Sequence, residues 1–218
     1  VSAMGNATDR LFELAHAVNK NPPRRELDML VSTGERVSCS LLAMALADKG
    51  VDAVSFTGSQ SGIITNEVHS DARIVDVRPR RLLAAFEDGK IAIVAGFQGV
   101  SRKGEITTLG RGGSDTTAVA LAAALHSPQV IFYKDVPGIF NSDPKKDGSA
   151  CLLTKLSYKE ALFLAQNGAK VLHHRSIVLA KKNGIGLCVR SFYHPFQEGT
   201  EVKEEGVNFL ECGYEEGE

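Results

Sequence analysis

Ile91-Ala92-Ile93-Val94-Ala95-Gly96 is apolar at every position before its glycine. A strand with one wet face alternates polar and apolar residues, whereas an unbroken apolar run needs cover on both faces. That is the condition of an inner strand in a parallel sheet. Outward from this run, Pro79–Glu87 on one side and Asp115–Leu125 on the other carry helical periodicity. Further out, Ala53–Thr57, Val130–Tyr133 and Leu187–Ser191 read as strands, and Thr8–Asn19, Thr33–Lys49, Tyr158–Asn167 and Arg175–Lys182 as helices. Val1–Met4 reads as the end of a buried strand whose beginning lies upstream. The alternation predicts an α/β fold with a mostly parallel central sheet between helical layers. Ser157 and Glu160 have capping-box spacing, Gly168 suits a helix stop, and Asn19–Arg25, with Pro22 and Pro23, reads as a loop.

The chain has 218 residues, 25 Lys plus Arg against 26 Asp plus Glu, and a formal net charge of −1. At about 100–200 residues per domain, this predicts one large domain or two small ones. The balance of charge argues against a nucleic-acid groove or a membrane-surface role, both of which need a basic excess. No apolar run approaches the roughly 20 residues of a membrane span. Cys39, Cys151, Cys188 and Cys212 lie far apart with no C-x-x-C pair, which indicates neither a zinc site nor a disulfide framework. His173 and His174 are adjacent, and His69 and His194 have no H-x-x-x-H company, so no histidine-held metal is expected. A soluble protein of a reducing compartment follows.

Ligands of open parallel sheets bind beyond the carboxyl ends of the strands, so the loops there are the places to search. Thr107-Thr108-Leu109-Gly110-Arg111-Gly112-Gly113-Ser114-Asp115-Thr116-Thr117 runs straight into an apolar helix. Its glycines let backbone N–H groups approach a ligand, the helix N-terminus favours negative charge, and Arg111 offers a fork for carboxylate or phosphate. Ser32-Thr33-Gly34-Glu35 admits two readings: a capping box, or a carboxylate that receives a substrate ammonium group. Lys134-Asp135 and the stretch through Lys145-Lys146 follow a strand, where a carboxylate can accept ribose hydroxyls and a lysine can meet phosphate. Walker-type and Rossmann-type glycine signatures are absent from the sequence.

Taken together, Val1–Gly5, Arg25–Glu35, Val54–Gly58, Thr107–Thr117, Tyr133–Pro144, Gly168–His173 and Val189–Ser191 resemble the aspartokinase family over nearly the whole chain and in order. The resemblance implies the amino-acid-kinase fold, a three-layer α/β sandwich over residues 1–200, with 201–218 an acidic tail leading toward regulatory ACT domains. It implies transfer of the ATP γ-phosphoryl, with Mg²⁺, to the side-chain carboxylate of L-aspartate, the entry step to lysine, threonine and methionine. It implies a cytoplasmic enzyme, a homo-oligomer at full length. By motif position, Ser32, Thr33, Glu35, Arg111, Gly112, Gly113 and Ser114 form the aspartate site, Glu35 taking the amino group and Arg111 the carboxylate. Asp115 and Lys170 serve the phosphoryl region. Ser2, Gly5, Lys134, Asp135, Phe140, Asn141, Ser142, Asp143, Pro144, Lys145, Lys170 and Val171 serve the nucleotide.

The chain departs from the family pattern at Asn6, Lys134, Phe140, Lys145 and His174. Phe140 lacks the hydroxyl of the usual Tyr, and Lys145 lacks the planar fork of the usual Arg. The family's lysine- and glycine-rich first strand and loop would lie before Val1. Two other readings stand beside the kinase: a non-catalytic module binding an amino acid or nucleotide, and a related kinase acting on glutamate, carbamate or a nucleoside monophosphate.

Overall fold

A computed structural model describes residues 1–204. They gather into two compact units, the first Val1–Ala124 and the second beginning at Leu125.

The first unit contains, in chain order, α1 (Ala7–Val18), α2 (Arg24–Val31), α3 (Thr33–Asp48), β1 (Ala53–Phe56), β2 (Ile63–Thr65), β3 (Ile74–Val77), α4 (Arg80–Glu87), β4 (Ile91–Val94), β5 (Gln98–Ser101), β6 (Ile106–Thr108) and α5 (Gly113–Ala124). β1 and β4 pair in parallel, from Ala53 opposite Ile91 to Phe56 opposite Val94. Both faces of this pair are covered, as the unbroken apolar run required. Ile93 and Ala95 pack with Cys39, Ala43 and Leu46 of α3 on one side. Phe56, Val54, Ala92 and Val94 pack with Leu82 and Ala85 of α4 and Leu121 of α5 on the other. A second sheet orders its strands β3-β2-β5-β6, with β2 and β5 parallel and the outer pairings antiparallel.

The second unit contains β7 (Gln129–Lys134), β8 (Ile139–Phe140), β9 (Leu152–Leu153), β10 (Lys155–Ser157), α6 (Tyr158–Gln166), α7 (His174–Asn183), β11 (Gly186–Ser191) and β12 (Thr200–Lys203). Its sheet runs β10-β12-β11-β7, with β7 and β11 parallel over six residue pairs. α6 packs on β10 and β12, and α7 on β11. Leu156, Leu187, Val189 and Val202 are buried in this unit's core, each at most 2% exposed. β8 and β9 form a separate antiparallel pair around the 141–151 loop, anchored by Thr200. Its hydroxyl accepts from Ile139 N at 2.7 Å and donates to Leu153 O at 2.6 Å.

The α/β class and the longer elements stand as the sequence predicted, with corrections. Val1–Met4 forms no strand, although Val1 takes up the two bonds of a parallel neighbour: its N donates to Val94 O, and its O accepts from Gly96 N. The 19–25 loop is shorter than expected, because α2 begins directly after Pro23, a residue favoured at helix starts. The mostly parallel arrangement stands, with antiparallel pairings mixed in: among the described residues β1–β4, β2–β5, β7–β11 and β10–β12 pair in parallel, β7–β11 the longest. Strands β2, β3, β5 and β6 are too short and polar to show a period in the sequence. Helices α2 and α3 together form an apolar stretch of 25 residues, Arg24–Asp48, but its Asp28 and Glu35 are buried within the protein fold. Of the expected acidic tail, residues 205–218 lie outside the described residues.

Candidate functional site

The first half of the site is the start of α3. Ser32 is in helical conformation (φ −64°, ψ −12°), so α2 passes into α3 almost without interruption. Its hydroxyl donates backwards to Met29 O at 3.1 Å, and Thr33 Oγ1 does the same to Leu30 O at 2.7 Å. Ser32 therefore forms no capping box, and the capping reading of Ser32 and Glu35 is corrected. Glu35 is 3% exposed. Its Oε1 accepts from Ala3 N at 3.2 Å, and its Oε2 is buried with no partner among the described residues. Burial pushes the Glu35 carboxyl above its ordinary range, against the pull of its own amide and that of Ala3. A buried carboxylate with one oxygen unpaired is suited to a cationic donor from outside the chain.

A residue the sequence reading passed over fixes this helix start. Gln98, 1% exposed on β5, donates from Nε2 to Ser32 O at 2.8 Å. Its Oε1 accepts from Arg36 Nε at 3.0 Å, and Arg36 Nη2 reaches Ser32 Oγ at 3.3 Å. A buried glutamine on an unrecognised strand left no periodic signal in the sequence.

The second half is the turn between β6 and α5. Gly110 and Gly112 have φ of +71° and +69°, the left-handed region that a side chain disfavours. Gly113 opens α5 hard against its neighbours: a Cβ there would lie 2.8 Å from Phe97 Cδ2 and 3.0 Å from Leu109 Cβ. Arg111 is exposed between these glycines. Ser114 and Asp115 stand in the first helical turn, where N–H groups have no carbonyl partner four residues back. Phe97 holds the turn from below, its N donating to Thr117 Oγ1 at 3.1 Å and its O accepting from Leu109 N at 2.9 Å.

Both halves meet the carboxyl end of β4. Gly96, just beyond that strand, packs on Ser114, whose Oγ would lie 3.0 Å from a Cβ at Gly96. Gly96 N donates to Val1 O, and Ala3, two residues on, donates to Glu35. Ser2 and Gly5 belong to this same segment and are exposed.

The remaining sequence-predicted residues lie in the second unit. Lys134 closes β7, with its Nζ 5.6 Å from the Phe132 ring centroid and its carbonyl accepting from Phe192 N at 2.9 Å. Asp135 follows, exposed. Phe140 is half-buried in β8. The loop after it is tied by its own polar groups: Asn141 Oδ1 accepts from Cys151 N at 2.8 Å, and Ser142 Oγ donates to Asp147 Oδ2 at 2.8 Å. Hydrogen bonds from Ser149 and Ser142 hold the Asp147 carboxyl below its usual range. Asp143 Oδ1 accepts from Lys145 N at 3.0 Å, and Asp143, Pro144 and Lys145 are exposed. Lys170 is exposed and Val171 half-buried in the connection from α6 to α7. Among the described residues no three His, Cys, Asp or Glu side chains gather as a metal site.

The amino acid kinase family matches residues 1–191 of the chain. An aspartokinase of Bacillus sp. (strain MGA3) is 53% identical over 205 residues, covering 94% of this chain and 50% of that protein. The crystal structure of aspartate kinase from Synechocystis superposes with a TM-score of 0.81 at 46% identity, over 95% of this chain and 34% of that one. E. coli aspartokinase III, solved in complex with aspartate and ADP, superposes with a TM-score of 0.82 at 34% identity, over 93% of this chain and 46% of that one. The chain spans about half the length of the curated relatives it matches.

Proposed function

The chain belongs to the amino acid kinase family, and on that premise we propose that it is the catalytic part of an aspartate kinase. Glu35 receives the ammonium group of L-aspartate at its unpaired Oε2. Arg111 takes the α-carboxylate through its planar fork, and the backbone of Gly112, Gly113 and Ser114 completes the amino-acid site. An oxygen of the aspartate side-chain carboxylate attacks the γ-phosphorus of ATP, the bond to the β-phosphate oxygen breaks, and ADP leaves with 4-phospho-L-aspartate as product.

Phosphoryl transfer asks a protein for alignment and charge neutralisation more than for covalent chemistry. In the second unit, Lys134, Asp135 and the Phe140–Lys145 loop hold the nucleoside and its phosphates, and Lys170 and Val171 complete that set. Lys170 supplies positive charge to the phosphates, and Asp115 orients groups in the phosphoryl region. Ser2 and Gly5 contribute backbone to the nucleotide side. Mg²⁺ would enter with ATP and offset the negative charge of its phosphates. The whole protein is read as a cytoplasmic homo-oligomer feeding lysine, threonine and methionine synthesis.

The observation that carries this reading is Glu35, a buried carboxylate whose second oxygen has no partner among the described residues. A coupled ADP-release assay on the intact protein, with hydroxylamine trapping of the acyl phosphate, tests it. ADP release that needs L-aspartate and yields the hydroxamate is the expected result. Turnover with L-glutamate or a nucleoside monophosphate in its place would move the enzyme elsewhere in the family. Aspartate binding with no ADP release would favour a non-catalytic module.

A further inference from the structure

One buried charge in the first unit has no part in the roles just assigned. Asp28 on α2 is fully buried at 0% exposure. Its carboxylate accepts from Thr108 N at 3.1 Å and Thr108 Oγ1 at 2.7 Å. It also accepts from Ser70 N at 3.1 and 3.0 Å, from Ser70 Oγ at 3.3 Å and from His69 Nδ1 at 2.9 Å. A buried carboxylate is retained only with such a set of donors, and here the donors come from two separate segments.

Where those donors lie gives the cluster its meaning. Thr108 ends β6, three residues before Arg111. Ser70 is held in the left-handed region at φ +68°, which a serine adopts only when its surroundings enforce it. In that conformation Ser70 O and Asp71 lie directly against the glycine turn: a Cβ on Gly110 would be 3.2 Å from Ser70 O and 3.1 Å from Asp71 Oδ1. Ala72 N closes the floor by donating to Thr108 O at 2.9 Å. In the other direction, one helical turn beyond Asp28, Ser32 N donates to Asp28 O at 3.1 Å, and α3 begins with Thr33, Gly34 and Glu35.

We propose that Asp28 is a positioning residue that fixes the Gly110–Arg111 turn relative to Glu35 and thereby sets affinity for the amino-acid substrate, touching neither substrate nor nucleotide. The inference rests on the reading of Glu35 and Arg111 as the two ends of the amino-acid site. A two-point grip on a zwitterion depends on the spacing of its two partners, and misplacement by about 1 Å can cost on the order of 10²-fold. The same carboxylate anchors the approach to both partners, so its loss changes the spacing while leaving both partners present.

The test is steady-state kinetics of the intact protein for both substrates. Asp28→Ala leaves the Ser70 and Thr108 amides without an acceptor. It is expected to raise the aspartate KM by about hundredfold and the MgATP KM by less than about twofold. Asp28→Asn keeps one oxygen for those amides and turns its NH₂ toward two hydroxyls that can accept, so it restores most of the aspartate affinity. Thr108→Val removes one hydroxyl from the cluster and raises the aspartate KM severalfold, which keeps the test open should Asp28→Ala fail to fold. Leu82→Ala, in a core cluster away from these residues, lowers stability and leaves the aspartate KM unchanged. Unchanged aspartate KM in Thr108→Val or in a folded Asp28→Ala, or parallel rises in both KM values, or an equal rise in Leu82→Ala, overturns the proposal. A wild-type protein that uses no aspartate overturns the amino-acid reading instead, so the two failures are distinct.

Discussion

The backbone N–H of Ala3 donates to Glu35 Oε1 across 32 positions of sequence, and Oε2 of the same carboxylate is buried with no partner among the described residues. Glu35→Gln keeps the shape and removes the charge. The aspartate KM should rise by about hundredfold or more, the scale of breaking a desolvated ion pair, with MgATP affinity unchanged. Thermal unfolding without ligand should show an equal or higher Tm, because desolvation of the Glu35 carboxylate opposes folding. A clear loss of stability together with unchanged aspartate use would make Glu35 a structural residue.

The same carboxylate predicts a pH dependence. Its folded-state pKa lies above its ordinary value of 4.5, principally through burial. Its contribution therefore favours the folded state at pH below 4.5 and fades as pH rises through the elevated folded value. Binding of an ammonium group needs the ionised form, so aspartate affinity should fall on acidification across that window. Calorimetric titrations in a pH series descending from neutrality toward 4.5 check this, and Glu35→Gln should show weak affinity with a flat profile.

Arg111 is exposed in the turn, so its removal should cost binding without cost to folding. Arg111→Ala is expected to lose about 1.5–3 kcal/mol of aspartate affinity, the range for a hydrogen bond to a charged group. Arg111→Lys should recover only part of it, since lysine lacks the fork. Equal aspartate KM values in all three proteins would remove Arg111 from the site.

Gly113→Ala drives a methyl group into Phe97 and Leu109. Overpacking of this kind costs about 1–3 kcal/mol, read as a lowered Tm, and it should weaken aspartate binding as the turn shifts. Gly148→Ala is the matched control: its Cβ would meet nothing within 4 Å, and stability should change by less than about 0.5 kcal/mol.

On the nucleotide side, Asp135→Ala and Lys170→Ala should each weaken MgATP binding more than aspartate binding. Both residues are exposed, so the Tm should stay within the change of an ordinary surface substitution. Fluorescent-nucleotide titration gives the readout, and unchanged affinity in both variants would place the nucleotide elsewhere.

The contrast between two identical spacings shows how far local sequence reaches. Ser157 and Glu160 form the capping box their spacing predicts, with Glu160 N donating to Ser157 Oγ at 3.2 Å and Ser157 N to Glu160 Oε2 at 2.6 Å. Ser32 and Glu35 share that spacing and form none. An extended residue precedes α6, so the serine hydroxyl faces bare amides. At Ser32 the chain is already helical from α2, its hydroxyl turns back to Met29, and Glu35 is claimed by Ala3.

Elements whose signal is short-ranged are legible in the order of residues alone. The unbroken run at Ile91–Val94, the helical periods of α1, α3 and α6, and the glycines that turn the chain before α5 are each written within a dozen residues. Hydrophobic pattern and backbone freedom act at that range. Tertiary structure decided what depends on partners far along the chain: Glu35 facing Ala3, Gln98 clamping Ser32 across 66 positions, and Asp28 gripping Thr108 across 80. Burial makes those bonds strong and makes an unpaired oxygen costly, and burial is created only when distant segments pack together.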